Sequence, residues 1–422
     1  MSAVRSKVCH HSIDTIIIGA GHAGLAASHF LTALAIEHLI LERGEVANSW
    51  RKERWDSLKL FTPNWQTRLP GYDYSGSDPD GYMNVKEVIG LIESYATSND
   101  APVQTGTTVT SVKKNPDGYR VKTDRGTWHC KSIIIASGAC NLPAIPNLTN
   151  DFPTDIQQIP ASDYRNPETL QEGGVLIVGA SATGLQLAQE IRNSGRQVTI
   201  ATGEHVRLPR NYRGKDIQWW MEETGLLDEG LKEIDDVNRA RKLPSPQLVG
   251  SQQHDILDLN ALAEMGVKFN GRLMAINNGV AQFSGSLKNL CALADLKMNR
   301  LLTAIDAWIS ESGQEDQFDA PHRFIKTMVD QTPRLGLNLA EENIKTVIWA
   351  TGFRPDYSWL DVPVLDRKGL IRHEGGIADA PGMYLLGMPF LRRRRSSFIH
   401  GIEDDARFVT RHLAKYLLQG EG

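Results

Sequence analysis

Twice in its 422 residues the chain passes from a β-branched, apolar run through a glycine-rich turn directly into an amphipathic stretch, and no other feature limits the fold so sharply. The first, DTIIIGAGHAGLAASHFL, starts at Asp14 and carries Gly19, Gly21 and Gly24. The second, GGVLIVGASATGLQLAQEI, starts at Gly173 and carries Gly179, Ser181 and Gly184. Strand, tight turn and helix in this order form the dinucleotide-binding unit of a doubly wound sheet. The first glycine permits the turn, the second position must be small so that a pyrophosphate can approach the backbone, and the third lets the helix lie close on the strand. The helix then offers free N–H groups and its positive dipole end to the phosphates, with Ala182 and Thr183 at that point of the second loop. The expected class is α/β, with two Rossmann-like dinucleotide-binding domains.

The two units share one spacing but not one charge. Eighteen residues after Gly24 the strand HLILE ends at Glu42, a carboxylate placed to accept hydrogen bonds from ribose hydroxyls. Eighteen residues after Gly184 stands Thr202, and Arg207, Arg210 and Arg213 follow it. A carboxylate there would repel a 2′-phosphate, whereas guanidinium groups can clasp one through charge-assisted hydrogen bonds. The first unit is therefore expected to hold FAD and the second NADPH.

Hydrophobic residues make up 41% of the chain and charged residues 23%, the balance of an ordinary globular protein. A formal charge of −4 gives no general attraction to nucleic acid or anionic lipid, which points to a small-molecule substrate. No run of about 18 apolar residues occurs, and residues 1–13 lack a signal-peptide core, so a cytoplasmic location is expected. Cys9, Cys130, Cys140 and Cys291 are widely spaced, which argues for reduced thiols and against a metal site. Nothing selects an oligomeric state, a homodimer included.

Two further apolar runs, 132–138 and 346–352, end in small residues, Ser137 with Gly138 and Thr351 with Gly352. Such ends let the backbone pass close to a dinucleotide or cross between domains. A turn at 115–118 predicts a small antiparallel insertion, and Trp219 and Trp220 read as packing residues. Together these suggest an FAD domain over 1–165, an NADPH domain over 166–324 and a return to the FAD domain over 325–422. The arginine run 392–395 reads as a solvated or phosphate-facing loop before a terminal helix starting near Asp404.

Several blocks in combination resemble the flavin-containing monooxygenase-like flavoproteins, in particular their bacterial branch: GAGHAG, NSWRKERWDSLKLFTPNWQTRLPG from Asn48, GASATG, LPRNYRGKDIQWW, WATGFRPDYSWL and LRRRRSSFIHGIEDDA. The resemblance covers nearly the whole chain. It implies that NADPH reduces FAD, that dioxygen adds to the reduced flavin, and that the flavin hydroperoxide passes one oxygen atom to a small nitrogen- or sulfur-containing substrate. It also implies a flavin environment that includes Arg43, Trp50, Arg51, Leu58, Thr62, Val109 and Gly387, with Asn64 near the reacting edge. His400, beside the expected terminal helix, is the titratable group singled out for catalysis. One departure stands out: the family's F-x-G-x-x-x-H-x-x-x-Y, aligned on Tyr164, puts Thr154, Ile156 and Pro160 at the first three marked positions. Two other readings stay open, an NADPH-dependent reductase or dehydrogenase without oxygen transfer and a redox-sensing FAD/NADP-binding protein.

Overall fold

A computed structural model describes residues 10–419 of the protein; Cys9 lies outside the described residues. The run before Gly19 forms the strand His10–Ile18, since stiff β-branched side chains suit a pleated surface. Parallel neighbours flank it on both sides, His38–Leu41 and Gly126–Ile135, and Ile16 and Ile17 are fully buried. Strands covered on both faces need apolar residues at every position, which explains the unbroken run.

Among the described residues this first sheet has ten strands. Gly126–Ile135 belongs to two regimes: its first half pairs antiparallel with Gly118–Thr123, and its second half pairs parallel with Met383–Leu385. The predicted turn closes the hairpin between Val109–Asn115 and Gly118–Thr123, where Asn115 faces Gly118. The helices His22–Ala33 and Ile402–Gln419 pack together over the sheet.

The second sheet is wholly parallel, in the order Gln157–Pro160, Ile344–Trp349, Gly174–Val178, Val198–Ala201, Lys268–Asn270. The helix Ala182–Asn193 follows the second glycine loop. A separate aromatic core surrounds Trp220, which is fully buried and donates its indole N–H to the Tyr212 carbonyl at 2.7 Å. The 26-residue helix Leu287–Ser312 supplies another wall of that core. No helix among the described residues is long and apolar enough to cross a membrane.

Both expected domain boundaries shift. Gln157–Pro160 lies in the second sheet, so that unit begins before 166. Ile344–Trp349 lies there too, and the chain returns to the first sheet only at Leu360–Asp361. A short apolar run carries no mark of which sheet it will join; pairing partners decide it. The two crossings lie side by side: Leu142–Pro143 and Phe353–Arg354 pair antiparallel, and Ala144 N–H donates to the Gly352 carbonyl at 2.9 Å.

The close approach of each helix to its strand has a direct test. A Cβ on Gly24 would fall on the Gly19 carbonyl oxygen, and one on Gly184 on that of Gly179. Gly24→Ala must push the helix outward and should cost about 1–3 kcal/mol in urea unfolding, the usual range for overpacking.

Candidate functional site

The two glycine loops superimpose hydrogen bond for hydrogen bond. Gly19 (φ +108°) donates its N–H to Leu41 O, and Gly179 (φ +119°) donates to Ala201 O, both at 2.9 Å. The next residues along those strands, Glu42 and Thr202, donate their N–H groups to Gln104 O and Asn270 O at 3.0 and 2.9 Å. The common spacing read in the sequence is thus a common geometry. The side chains then diverge. Glu42 is 7% exposed, and its two carboxylate oxygens accept from Ala20 N–H at 2.9 Å and Gly44 N–H at 3.0 Å. A carboxylate has about four lone-pair sites, so acceptor capacity remains for ribose hydroxyls.

Both loops open into one continuous cavity of about 1760 Å³. A single drug-sized ligand occupies roughly 300–1,000 Å³, so this cavity has room for more than one large ligand. Of the residues expected at the first nucleotide, Gly19, Gly21, Glu42, Arg43, Trp50, Leu58, Thr62, Val109, Ser137, Gly138 and Gly387 line it. Of those expected at the second, Gly179, Ser181, Ala182, Thr183, Thr351 and Gly352 do. The same cavity wall includes the apolar side chains of Leu60, Phe61, Leu208, Met221, Phe390 and Phe398, with the Phe61 and Phe398 rings edge to face at 5.8 Å.

These surroundings fit dinucleotides. Nothing stands within 4 Å of where a Cβ on Gly21 would be, so the backbone of the first loop is open to a phosphate at the start of His22–Ala33. The Ser137 hydroxyl is buried without a hydrogen-bond partner, a polar group left for a ligand.

Other expected site residues are elsewhere employed. Arg207 is 5% exposed and its guanidinium is consumed by Asp258 and Asp295, both at 2.6 Å. Arg210 pairs with Asp216 at 2.5 Å and donates to Phe61 O at 2.8 Å; Arg213 pairs with Asp306 at 3.2 Å. Buried guanidiniums must be matched by carboxylates, so none of the three is free for a 2′-phosphate. Thr202 is fully buried, and Gly203 and Glu204 take its place on the cavity wall. Arg51 turns away from the cavity to Glu93 and the Val46 carbonyl, tying the helix Asn48–Lys52 to Val85–Ser98. Gly24 and Gly184 act through packing rather than contact.

The two expected catalytic residues also lie off the wall. Asn64 donates its side-chain N–H to Asp78 O and its backbone N–H to Gly81 O, both at 2.9 Å, and so closes a surface loop. His400 packs on the Phe398 ring at 5.3 Å, and its Nε2 is buried without a partner. Burial, with Arg68 and Arg395 nearby, lowers its pKa to about 3, so it is a neutral packing residue. The arginine run is partly exposed and also held by carboxylates: Arg393 and Arg395 reach Asp404 and Asp228, at 2.6 and 2.7 Å respectively, and Arg394 pairs with Glu229 while lining the cavity.

Among the wall residues that escaped the sequence reading, three carry polar groups of note. His22, inside the first fingerprint, has a buried Nε2 without a partner and a pKa that burial lowers to about 4. Cys140 follows the small-residue end of Gly126–Ile135, and its thiol is exposed at the cavity wall. Arg272 follows the third strand of the second unit, a position that the spacing of the fingerprint does not mark.

Comparison with known proteins agrees with this geometry. The family model described as pyridine nucleotide-disulphide oxidoreductase matches residues 16–234. A protein of Geobacillus kaustophilus, described as a CzcO-like oxidoreductase, is 29% identical over 402 residues, covering 94% of this chain and 97% of its own. Among solved structures, the flavin-containing monooxygenase of Stenotrophomonas maltophilia matches with a TM-score of 0.67 at 19% identity, covering 96% of this chain and 99% of that one. The bacillithiol disulfide reductase of Bacillus cereus matches with a TM-score of 0.61 at 15% identity and the same coverage of both chains. At such identities the two structures speak for the fold.

Two outcomes follow from the buried charges. Arg207→Ala leaves Asp258 and Asp295 buried without their cation and should cost about 3–5 kcal/mol in urea unfolding, with nucleotide affinity per folded molecule unchanged. His400 contributes stability that is present above pH 6.5 and lost as the pH falls toward about 3, because only the unfolded chain accepts the proton in that window. Asp405, raised to about 6 by burial, acts in the opposite sense, its contribution being lost as the pH rises through 6. The difference between the wild-type and His400→Gln stability curves from pH 6.5 downward should therefore isolate the histidine slope.

Proposed function

Since the chain belongs to the pyridine nucleotide-disulphide oxidoreductase family and is a flavin-linked oxidoreductase, we propose that it is an NADPH-consuming monooxygenase of small nitrogen- or sulfur-containing molecules. The observation that carries this reading is one cavity whose wall joins the two glycine loops to apolar side chains such as Phe61, Met221 and Phe398. FAD belongs at the first loop, where Glu42 is set for ribose hydroxyls, and NADPH at the second, where no carboxylate occupies the equivalent position.

Bound flavin supplies the two-electron chemistry between nicotinamide and dioxygen. The protein's part is to bind, orient and keep dry. The helix starts at His22 and Ala182 would face the pyrophosphates, and Glu42 would hold the flavin nucleotide's ribose. Leu60, Phe61, Leu208, Met221, Phe390 and Phe398 on the same wall would receive an apolar substrate and displace water around it. Overall, NADPH, a proton, dioxygen and the substrate become NADP⁺, water and the N- or S-oxide.

A reductase reading draws on the likeness in fold to bacillithiol disulfide reductase and on the Cys140 thiol in the cavity wall. Labelled oxygen separates the two. FAD-loaded protein given NADPH, a dialkyl sulfide and ¹⁸O₂ should yield sulfoxide carrying one labelled atom for each NADPH consumed. Peroxide in place of labelled sulfoxide, across a panel of sulfides and amines, would favour the reductase; a flavin bleached by neither nicotinamide would overturn both.

A further inference from the structure

We propose that Arg272, set over Gly203, is the residue that reads the 2′-phosphate of NADPH; this rests on the assignment of the second loop to that nucleotide. A 2′-phosphate projects from the adenosine ribose at the end of the unit's second strand, here Val198–Ala201, and calls for an unpaired cation at that place. The three arginines that follow in sequence are held by Asp258, Asp295, Asp216 and Asp306.

The neighbouring strand supplies the missing charge. Lys268–Asn270 runs parallel to Val198–Ala201, and Thr202 N–H donates to Asn270 O at 2.9 Å, so the two strands end together. Beyond Asn270 the backbone is pinned: Arg272 N–H donates to Ser284 Oγ at 3.1 Å, and Ser284 N–H donates to Arg272 O at 2.9 Å. Gly271 permits this contact, since a Cβ there would collide with the Ser284 carbonyl. From that fixed backbone the side chain extends along the cavity wall. Its Nε and Nη2 lie 3.8 and 3.9 Å from the point where Gly203 would carry a Cβ, so the absent side chain leaves the space beneath the guanidinium open.

Among the described residues the Arg272 guanidinium has neither a hydrogen bond nor an ion pair, and the residue is exposed. Glu204, the carboxylate nearest in sequence to Gly203, faces Lys297 on the helix Leu287–Ser312 at 3.3 Å. The place therefore presents an uncommitted guanidinium beside a carboxylate that has its own partner. A phosphate dianion suits it better than a neutral 2′-hydroxyl, which makes Arg272 a specificity-determining residue.

Calorimetric titration of the FAD-loaded protein with 2′,5′-ADP and with 5′-AMP tests this without turnover. Wild type should bind 2′,5′-ADP about tenfold or more tightly than 5′-AMP, the gain expected of one or two charge-assisted hydrogen bonds. Arg272→Ala and Arg272→Gln should abolish most of that preference while binding 5′-AMP as wild type does, which also verifies that the variants are folded. If wild type itself is indifferent to the 2′-phosphate, the NADPH assignment falls and this inference with it. If wild type discriminates and both variants discriminate equally well, the assignment to Arg272 alone is overturned.

Discussion

In each unit of this chain the helix that would bind a phosphate begins in contact with the end of a strand, and that contact is possible only where no Cβ intervenes. Gly24 and Gly184 meet this condition by resting on the carbonyls of Gly19 and Gly179. Everything else in the site is arranged around those two approaches. They fix where each helix starts, and hence where its dipole and free N–H groups point. They also fix the register that brings Glu42 and Thr202 to equivalent places. The parallel cores of the two sheets, with their fully buried isoleucines and valines, keep these close approaches from relaxing.

Around this frame, arginines divide by burial. Arg207, Arg210 and Arg213 lie inside the second unit, where desolvation makes carboxylate partners obligatory, and they knit its loops together. Arg393, Arg394 and Arg395 join the segment around Asp228 and Glu229 to the start of the terminal helix at Asp404. Arg272 stands outside such networks, so its whole guanidinium has hydrogen bonds to give to a ligand. Residue type alone therefore says little about recognition; solvation of the charge says much more.

The same distinction explains what the sequence revealed. The two glycine loops, Glu42 and the small-residue strand ends were legible because their roles belong to local backbone geometry, which short motifs encode. The hairpin around 115–118 and the packing role of Trp220 were legible for the same reason, a local turn and a bulky apolar ring. Arg207 misled because its partners, Asp258 and Asp295, lie 51 and 88 residues away, and no spacing rule connects them. Pro160 and Trp349 pair across a still longer stretch, which is why the domain boundaries read from the sequence fell on the wrong side of both strands. His400 and Asn64 illustrate the converse error, since proximity in sequence to an expected site did not bring either side chain to the cavity.

The Glu42 carboxylate is already held by two backbone N–H groups at 2.9 and 3.0 Å. A nucleotide arriving there has no side chain to order, so the entropy of arranging its anchor is not charged to the binding event. At the equivalent place in the second unit, Thr202 is enclosed and the adjacent cation is a long, exposed side chain that must be ordered each time. Under the proposed assignment the two units would differ in residence time, the first keeping its occupant through many cycles and the second letting its occupant come and go.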